Sequence, residues 1–384
     1  MRVLHVYSGN LYGGVETLLR TLAEKRDLCP QMEPQFALCF EGRLSQELKS
    51  SGTTFHMLGE VRTSRPATVV RARSTLKSLL RATSFDFVIC HGAWSQAVFA
   101  PAIRAANVSL IFWLHDAARG SHWVERWAKL SRPYAVICNS NYTASTIPHL
   151  YSNIPGEIFY CPVEPPPDSL TDRHEATIRE ELGTSRSSTV IVQVSRMEPW
   201  KGHESLLEAL ALMDDCPDVM CWFVGGAQRS EERSYVASLK QRAQSLGVAD
   251  RVRFVGERSD VAEILSASDI FCQPNKLPEP FGISFIEALF AGLPVVATAL
   301  GGAKEIINSS CGLLVDATSP EALAKALRQL VKQPKMRESL GSAGPARASQ
   351  LCDPFTQLQK LHALLLRFAQ HQSTNECLSL SISV

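Results

Sequence analysis

The sequence predicts an α/β protein built from two doubly wound, Rossmann-like domains. Three observations lead there. Short β-branched or aromatic runs alternate with stretches of helical periodicity along almost the whole chain, which argues for parallel sheets covered by helices on both faces. The alternation stops once, at the proline-rich stretch Pro162-Val-Glu-Pro-Pro-Pro, and then restarts. Finally, 384 residues with 45% hydrophobic and 20% charged side chains hold too much apolar material for disorder and too many residues for one core.

In chain order, the first half offers strands at RVLHVYS from Arg2, QFALCF from Gln35, TFHML from Thr54, FDFVICHG from Phe85, SLIFWLH from Ser109, AVICNS from Ala135 and EIFYCP from Glu157. The prolines after Pro162 can continue neither a helix nor a central strand, so a linker is expected there, with a polar pause lasting to about Ser188. The second half restarts with TVIVQVS from Thr189, VMCWFVGG from Val219, RVRFVGE from Arg251, DIFCQPN from Asp269, LPVVAT from Leu293 and GLLVD from Gly312. Ser319-Pro320-Glu321 starts a helix with a cap and a first-turn proline. Helix is expected from there to about Gln370, and a frayed polar tail after it. Two such units facing each other across a cleft suit a ligand held beyond the carboxyl ends of the strands.

Lys+Arg 39 against Asp+Glu 38 leaves a formal charge of +1, which excludes the electrostatic footprint of a dedicated nucleic-acid binder. No apolar run approaches the roughly 18 residues of a membrane span, and the opening residues are too polar for a signal-peptide core. A cytoplasmic location is expected. The 11 cysteines are odd in number and sit mostly inside apolar runs, as Cys39, Cys90, Cys138 and Cys272 do, which fits small buried hydrophobes in a reducing compartment. The glycosylation sequons at Asn107, Asn141 and Asn308 are then read as chance.

Three segments carry chemistry. The first strand runs into Ser8-Gly9-Asn10-Leu11-Tyr12-Gly13-Gly14, followed by a helix. Glycines there let backbone approach a ligand, and a helix N-terminus favours an anion; a tight strand-to-helix turn would look the same. After TVIVQVS come Arg196 and Lys201, two cations able to clamp a diphosphate, one by its fork and one as a point charge, or else two solvated surface charges. After DIFCQPN comes Pro278-Glu279-Pro-Phe281-Gly282-Ile283-Ser284-Phe-Ile-Glu287. Glu279 falls in the loop and Glu287 in the following helix, where two carboxylates flank any anion at Gly282 to Ser284 and accept hydrogen bonds from sugar hydroxyls, unless they only cap the helix. No Asp-x-Asp carboxylate pair for a nucleotide-bound metal is present.

Gly13-Gly14-Val-Glu16, His115 after SLIFWL, Ser195-Arg196 with Lys201-Gly202, Phe254-Val-Gly256, and Glu279 followed after seven residues by Glu287 lie in one order along nearly the whole chain. Together they resemble a retaining glycosyltransferase of the GT-B fold, family GT4. The resemblance implies an acceptor-side domain over residues 1–168, a nucleotide-sugar-binding domain over 169–354, and a helix over 355–384 that crosses back to the first domain and ends in the tail. It implies that Arg196 and Lys201 bind the donor diphosphate, that the Gly13-Gly14 loop closes over it, and that Glu287 holds the ribose. It further implies that Glu279 and the amides of Phe281, Gly282, Ile283 and Ser284 orient the donor sugar. Phe254 to Glu257 would line the base, and His115 would lie near the sugar. No cofactor and no obligatory metal are implied, and transfer would proceed by front-side attack without a covalent protein intermediate.

The activity expected is therefore transfer of a hexosyl unit from a UDP- or GDP-sugar to a glycan, lipid-linked or small-molecule acceptor. A sugar-nucleotide epimerase of similar architecture and a catalytically silent nucleotide-sugar-binding subunit are the alternatives. On the acceptor side, His91, Trp123 and Trp127 are candidates. The run Val61 to Ser84 carries Arg62, Arg65, Arg71, Arg73, Lys77 and Arg81 without an acidic residue, which fits either peripheral contact with an anionic membrane or the solvated face of a helix.

Overall fold

The computed structural model describes residues 1–167, 172–316 and 319–381. It divides into two compact units, one of Met1–Pro162 together with the chain from Cys352 on, the other of Val163–Leu351. The first contains β1 (Arg2–Tyr7), β2 (Glu33–Leu38), β3 (Phe55–Met57), β4 (Phe87–His91), β5 (Ser109–Leu114), β6 (Ala135–Cys138) and β7 (Gly156–Ile158). The second contains β8 (Thr189–Val194), β9 (Val219–Val224), β10 (Val252–Gly256), β11 (Ile270–Gln273), β12 (Val295–Thr298) and β13 (Gly312–Val315). Every expected strand is present.

The first sheet is parallel in the order β3-β2-β1-β4-β5-β6-β7, the second in the order β10-β9-β8-β11-β12-β13. Each is doubly wound, with its reversal point between β1 and β4 in one unit and between β8 and β11 in the other. Strands covered on both faces must be apolar throughout, and residues such as Val3, Leu4, Val88, Ile89, Val190 and Ile191 are fully buried. The described cysteines are buried, and burial pushes the Cys39 thiol up to about 12.

Two stretches differ from the sequence expectation. The polar pause contains a helix, Asp172–Glu181. It is too polar for an apolar stripe to reveal it, and it is fixed instead through Arg179, 4% exposed. That guanidinium donates to Ala267 O at 3.0 Å, Ser188 O at 2.9 Å and Asp269 Oδ2 at 2.9 Å. Residues 168–171, part of the expected linker, lie outside the described residues. At the other end the helix Pro354–Ser381 continues past Gln370 rather than fraying there. It packs on the first unit, where Gln359 donates to Leu28 O at 2.9 Å, Tyr134 donates to Phe368 O at 3.0 Å, and Arg367 pairs with Glu157 at 3.0 Å. Among the described residues no helix is long and apolar enough to cross a membrane.

Candidate functional site

In the second unit the predicted residues gather on the loops beyond the carboxyl ends of the strands. Strand β8 ends at Val194, and a single 3₁₀ turn, Pro199–Lys201, sets Lys201. Gly202 follows with φ +77, and a Cβ there would lie 1.8 Å from Pro274 O, so only glycine lets the β8 and β11 loops pass so closely. Buried Gln193 donates to Lys201 O at 2.8 Å and fixes the turn from beneath. Across the reversal point, the loop after β11 carries Glu279. Lys201 Nζ donates to Glu279 Oε2 at 2.6 Å, with side chains only 13% and 10% exposed. Gln273 Nε2 at 3.1 Å and Asn275 Nδ2 at 2.7 Å donate to the same oxygen. Three donors on one oxygen hold the carboxylate rigidly, and Oε1 takes none of them. Trp200 lies 4.0 Å below the Lys201 ammonium.

Arg196 is held by two carboxylates. Its Nη2 donates to Glu198 and, at 3.0 Å, to Glu232 Oε1. Glu232, 4% exposed, uses Oε2 to accept from Gln228 N at 2.7 Å and Arg229 N at 3.3 Å, which closes the start of helix Ser230–Ser245. Arg196, with its side chain 28% exposed, and Lys201 are therefore not unpaired surface charges: each cation of the expected clamp is neutralised by protein carboxylates, and an anion must take the place of one of them or join it.

Gly282, φ +102, caps the helix Ile283–Phe290, so the amides of Ile283 and Ser284 fall in the first turn, where backbone N–H groups have no helical acceptor. Ser284 Oγ donates to Gln273 Oε1 at 3.2 Å. Phe281 is a core side chain, 3% exposed, and Glu287 is half-buried on the same helix. Phe254 packs on Phe223 with ring centroids 5.4 Å apart, and Lys240 Nζ stands 5.7 Å from its ring. Glu257 is exposed, and a Cβ on Gly226 would come within 2.8 Å of it.

In the first unit, the loop after β1 leads into the helix Gly14–Glu24, capped by Gly13. The Gly13 N–H already donates to Glu16 Oε2 at 2.9 Å, and Tyr7 donates to the other carboxylate oxygen. His115 lies just past β5 and is 6% exposed; His91, at the end of β4, is 1% exposed, so it is a buried residue rather than a surface one. His91 Nδ1 is 2.9 Å from His115 Nε2, and His91 Nε2 is 2.9 Å from His5 Nδ1. Desolvation lowers the pKa of His5 and of His115 to about 3. Burial also lowers that of His91, helped by its two imidazole neighbours.

The basic stretch becomes the helix Pro66–Ala82, whose apolar residues Val69, Ala72, Leu76 and Leu80 face the core. Arg73 turns inward as well. Pro101 interrupts the neighbouring helix Gly92–Arg104, depriving it of an N–H, and Arg73 donates to Val98 O at 2.5 Å and Ala97 O at 3.3 Å. Its guanidinium lies 5.6 Å from the Trp127 ring. Trp94, Trp123 and Trp127 form one aromatic group, with Trp123 52% exposed.

Sequence reasoning missed Gln273, Asn275 and Glu232, and also Gly301-Gly302. Gly301 bridges to Glu279, and Gly302 N donates to Glu279 O at 2.7 Å. A Cβ on Gly301, φ +57, would approach Glu279 O to 2.3 Å. A glycine pair in the loop after a strand, separated from its end by two residues, was the available signal. Among the described residues no group of three or more His, Cys, Asp or Glu side chains is placed to hold a metal ion.

Residues 174–347, which hold the Lys201–Glu279 pair, match the family described as glycosyl transferases group 1, and residues 12–165 match glycosyltransferase family 4. The chain belongs to this GT4-type glycosyltransferase family. Its two parallel-sheet units are the GT-B fold. Among solved structures, HepE of Anabaena in complex with UDP is 25% identical with a TM-score of 0.82, covering 96% of this chain and 100% of that one. Among curated glycosyltransferases, a GDP-mannose-dependent monoacylated alpha-(1-6)-phosphatidylinositol monomannoside mannosyltransferase of Corynebacterium glutamicum is 31% identical over 185 residues, 46% of each chain. A D-inositol 3-phosphate glycosyltransferase of Corynebacterium aurimucosum is 34% identical over 204 residues, 50% of this chain and 47% of its own. The chain spans about half the length of the curated relatives it matches.

Proposed function

We propose that this glycosyltransferase moves a hexosyl unit from a UDP- or GDP-sugar to a glycan, lipid-linked or small-molecule acceptor, with retention of configuration. The observation that carries the reading is the Lys201–Glu279 pair across the reversal point of β8 and β11: an ammonium for a phosphate and a rigid carboxylate for a sugar hydroxyl, in the place where open parallel sheets hold ligands. UDP in the Anabaena relative and GDP-mannose in the name of the Corynebacterium glutamicum relative support a nucleotide-sugar donor.

In this reading Arg196 and Lys201 meet the charge that develops on the leaving diphosphate, electrostatic preorganisation supplied by the protein without an obligatory metal or cofactor. Glu287 holds the ribose, Phe254 to Glu257 border the base, and Glu279 with the amides from Phe281 to Ser284 orients the hexose. In the first unit the Gly13-Gly14 loop contacts the diphosphate and His115 hydrogen-bonds a sugar hydroxyl. The acceptor hydroxyl attacks on the face the diphosphate leaves, so the protein forms no covalent bond to the sugar. The enzyme works in the cytoplasm, and Arg65, Arg71, Lys77 and Arg81 are the cations through which it would touch an anionic membrane.

Thermal shift with UDP-, GDP- and ADP-sugars tests the donor: a ligand at about 100 times its Kd adds roughly 2.7 kcal/mol of stability. The anomeric configuration of the product, read by NMR, tests retention. An inverted product, or no stabilisation by any nucleotide sugar, overturns the proposal.

A further inference from the structure

We infer that His5, His91 and His115 form a hydrogen-bonded imidazole relay in which His5 and His91 are positioning residues that hold His115 as a neutral donor through its Nδ1. The functional consequence rests on the reading of His115 as a sugar contact; the relay itself rests on geometry. The three residues come from β1, from the end of β4 and from just past β5, which are neighbours in the sheet. Two N···N contacts of 2.9 Å link them in series. Stacking holds each ring in plane: Phe36 lies 5.4 Å from His5, and Trp113 lies 5.1 Å from His91 and 5.6 Å from His115.

A neutral imidazole has one N–H and one bare nitrogen. His91 uses both nitrogens in the relay, so it donates through one and accepts through the other, and its choice dictates both ends. Only two neutral arrangements keep both contacts. In one, His115 donates to His91 and His91 to His5, which places the third N–H on His5 Nε2. That atom is buried with no hydrogen-bond partner, and orphaned buried N–H groups are rarer than under-used acceptors. In the other, His5 Nδ1–H donates to His91 Nε2, and His91 Nδ1–H donates to His115 Nε2. The third N–H then stands on His115 Nδ1, in the one ring of the three that keeps 6% of its surface exposed, past the carboxyl end of its strand. Burial without a carboxylate partner keeps the series uncharged. His115 accordingly offers substrate an N–H whose position is set two residues away.

The test is long-range 1H–15N NMR of the full chain labelled with 15N-histidine. In the parent protein all three rings are expected to carry the proton on Nδ1. A proton on Nε2 of His115, or rapid exchange between its nitrogens, overturns the relay, and this readout needs no variant to fold. In His5→Phe the first donor is gone, so the His91 and His115 signals should move toward mixed tautomers, and kcat should fall about tenfold, the worth of one neutral hydrogen bond, with UDP affinity unchanged. Phe87→Leu loosens the core of the same sheet without touching any of the three rings and should leave both tautomers and kcat as in the parent. An equal kcat loss there would assign the effect to packing and overturn the positioning role. His115→Ala tests the other premise separately: full turnover in that variant overturns the sugar contact while the parent spectrum still decides the relay.

Discussion

Lys201→Met removes one charge from the candidate site while keeping the aliphatic stem over Trp200. What remains is a Glu279 carboxylate 8% exposed, with donors only from Gln273 at 3.1 Å and Asn275 at 2.7 Å. Stripping a partner from a buried ion pair costs about 3–5 kcal/mol, and the two amide donors that stay offset part of this, each about 1 kcal/mol. The expected loss in urea unfolding is therefore about 1–3 kcal/mol. Glu279→Gln should cost a similar amount, because it leaves the Lys201 ammonium without a counter-charge, facing a neutral amide and the Trp200 ring. The double variant should cost less than the sum by about 1–3 kcal/mol. Nucleotide binding separates the roles. Lys201→Met should weaken UDP or GDP by about 10–100-fold, one charge-assisted contact, whereas Glu279→Gln should bind the bare nucleotide at least as tightly as the parent, since Lys201 no longer leaves a carboxylate to meet phosphate. An additive cycle would refute the pair, and undiminished nucleotide binding in Lys201→Met would refute its role.

Glu287→Gln should lose nucleotide affinity, whereas Glu279→Gln should lose turnover instead, because an interaction with the reacting sugar that strengthens in the transition state lowers kcat when removed; calorimetry and initial rates on the two variants check the division. Arg73→Met should destabilise the first unit by about 1–3 kcal/mol in urea, since Val98 O and Ala97 O lose their donor beside Pro101. Acid should unfold the protein steeply. His5, His115 and His203 are lowered to about 3 by burial and protonate near 6.5 once unfolded. Their contribution is complete above about pH 6.5 and is lost as pH falls toward 3, roughly 1 kcal/mol per pH unit for each. Urea midpoints from pH 7 to 4.5 measure the slope, and it should be shallower in His5→Phe.

The strands were legible because a parallel sheet covered on both faces needs apolar side chains throughout, and runs such as VIC at Val88 and VIV at Val190 leave no other reading. The Glu279–Glu287 segment was legible because its residues are local, a loop and the helix that follows. What the sequence hid depends on sheet order. His5, His91 and His115 are distant in the chain and become neighbours only because β4 lies between β1 and β5 in the sheet rather than beside β3. Arg73 reads as one more cation on a basic face until the proline of the adjoining helix leaves the Ala97 carbonyl for it to satisfy. Helix Asp172–Glu181 has no apolar stripe to detect, since hydrogen bonds from Arg179 do the anchoring. Glu232 carries no motif of its own, and only its position opposite Arg196 shows that it holds the cation.

Both units place their polar chemistry where the strand order reverses, and the physics of that place explains why the two fillings differ. At a reversal point the chain leaves adjacent strands in opposite directions, so the carboxyl ends of the two strands are left without a crossing loop above them. Polar groups there must find partners in one another until a ligand arrives. Between β8 and β11 the partners are charged, Lys201 with Glu279, and an ammonium at 13% exposure can turn from the carboxylate to an arriving phosphate. Between β1 and β4 the partners are neutral, His5 with His91, both sealed from water. A neutral series cannot attract a diphosphate, but it can aim a single N–H without competing for it. In the proposed function the charged pair suits the second unit to accept and release a nucleotide, and the neutral series suits the first to present a fixed hydrogen-bond donor to an uncharged group.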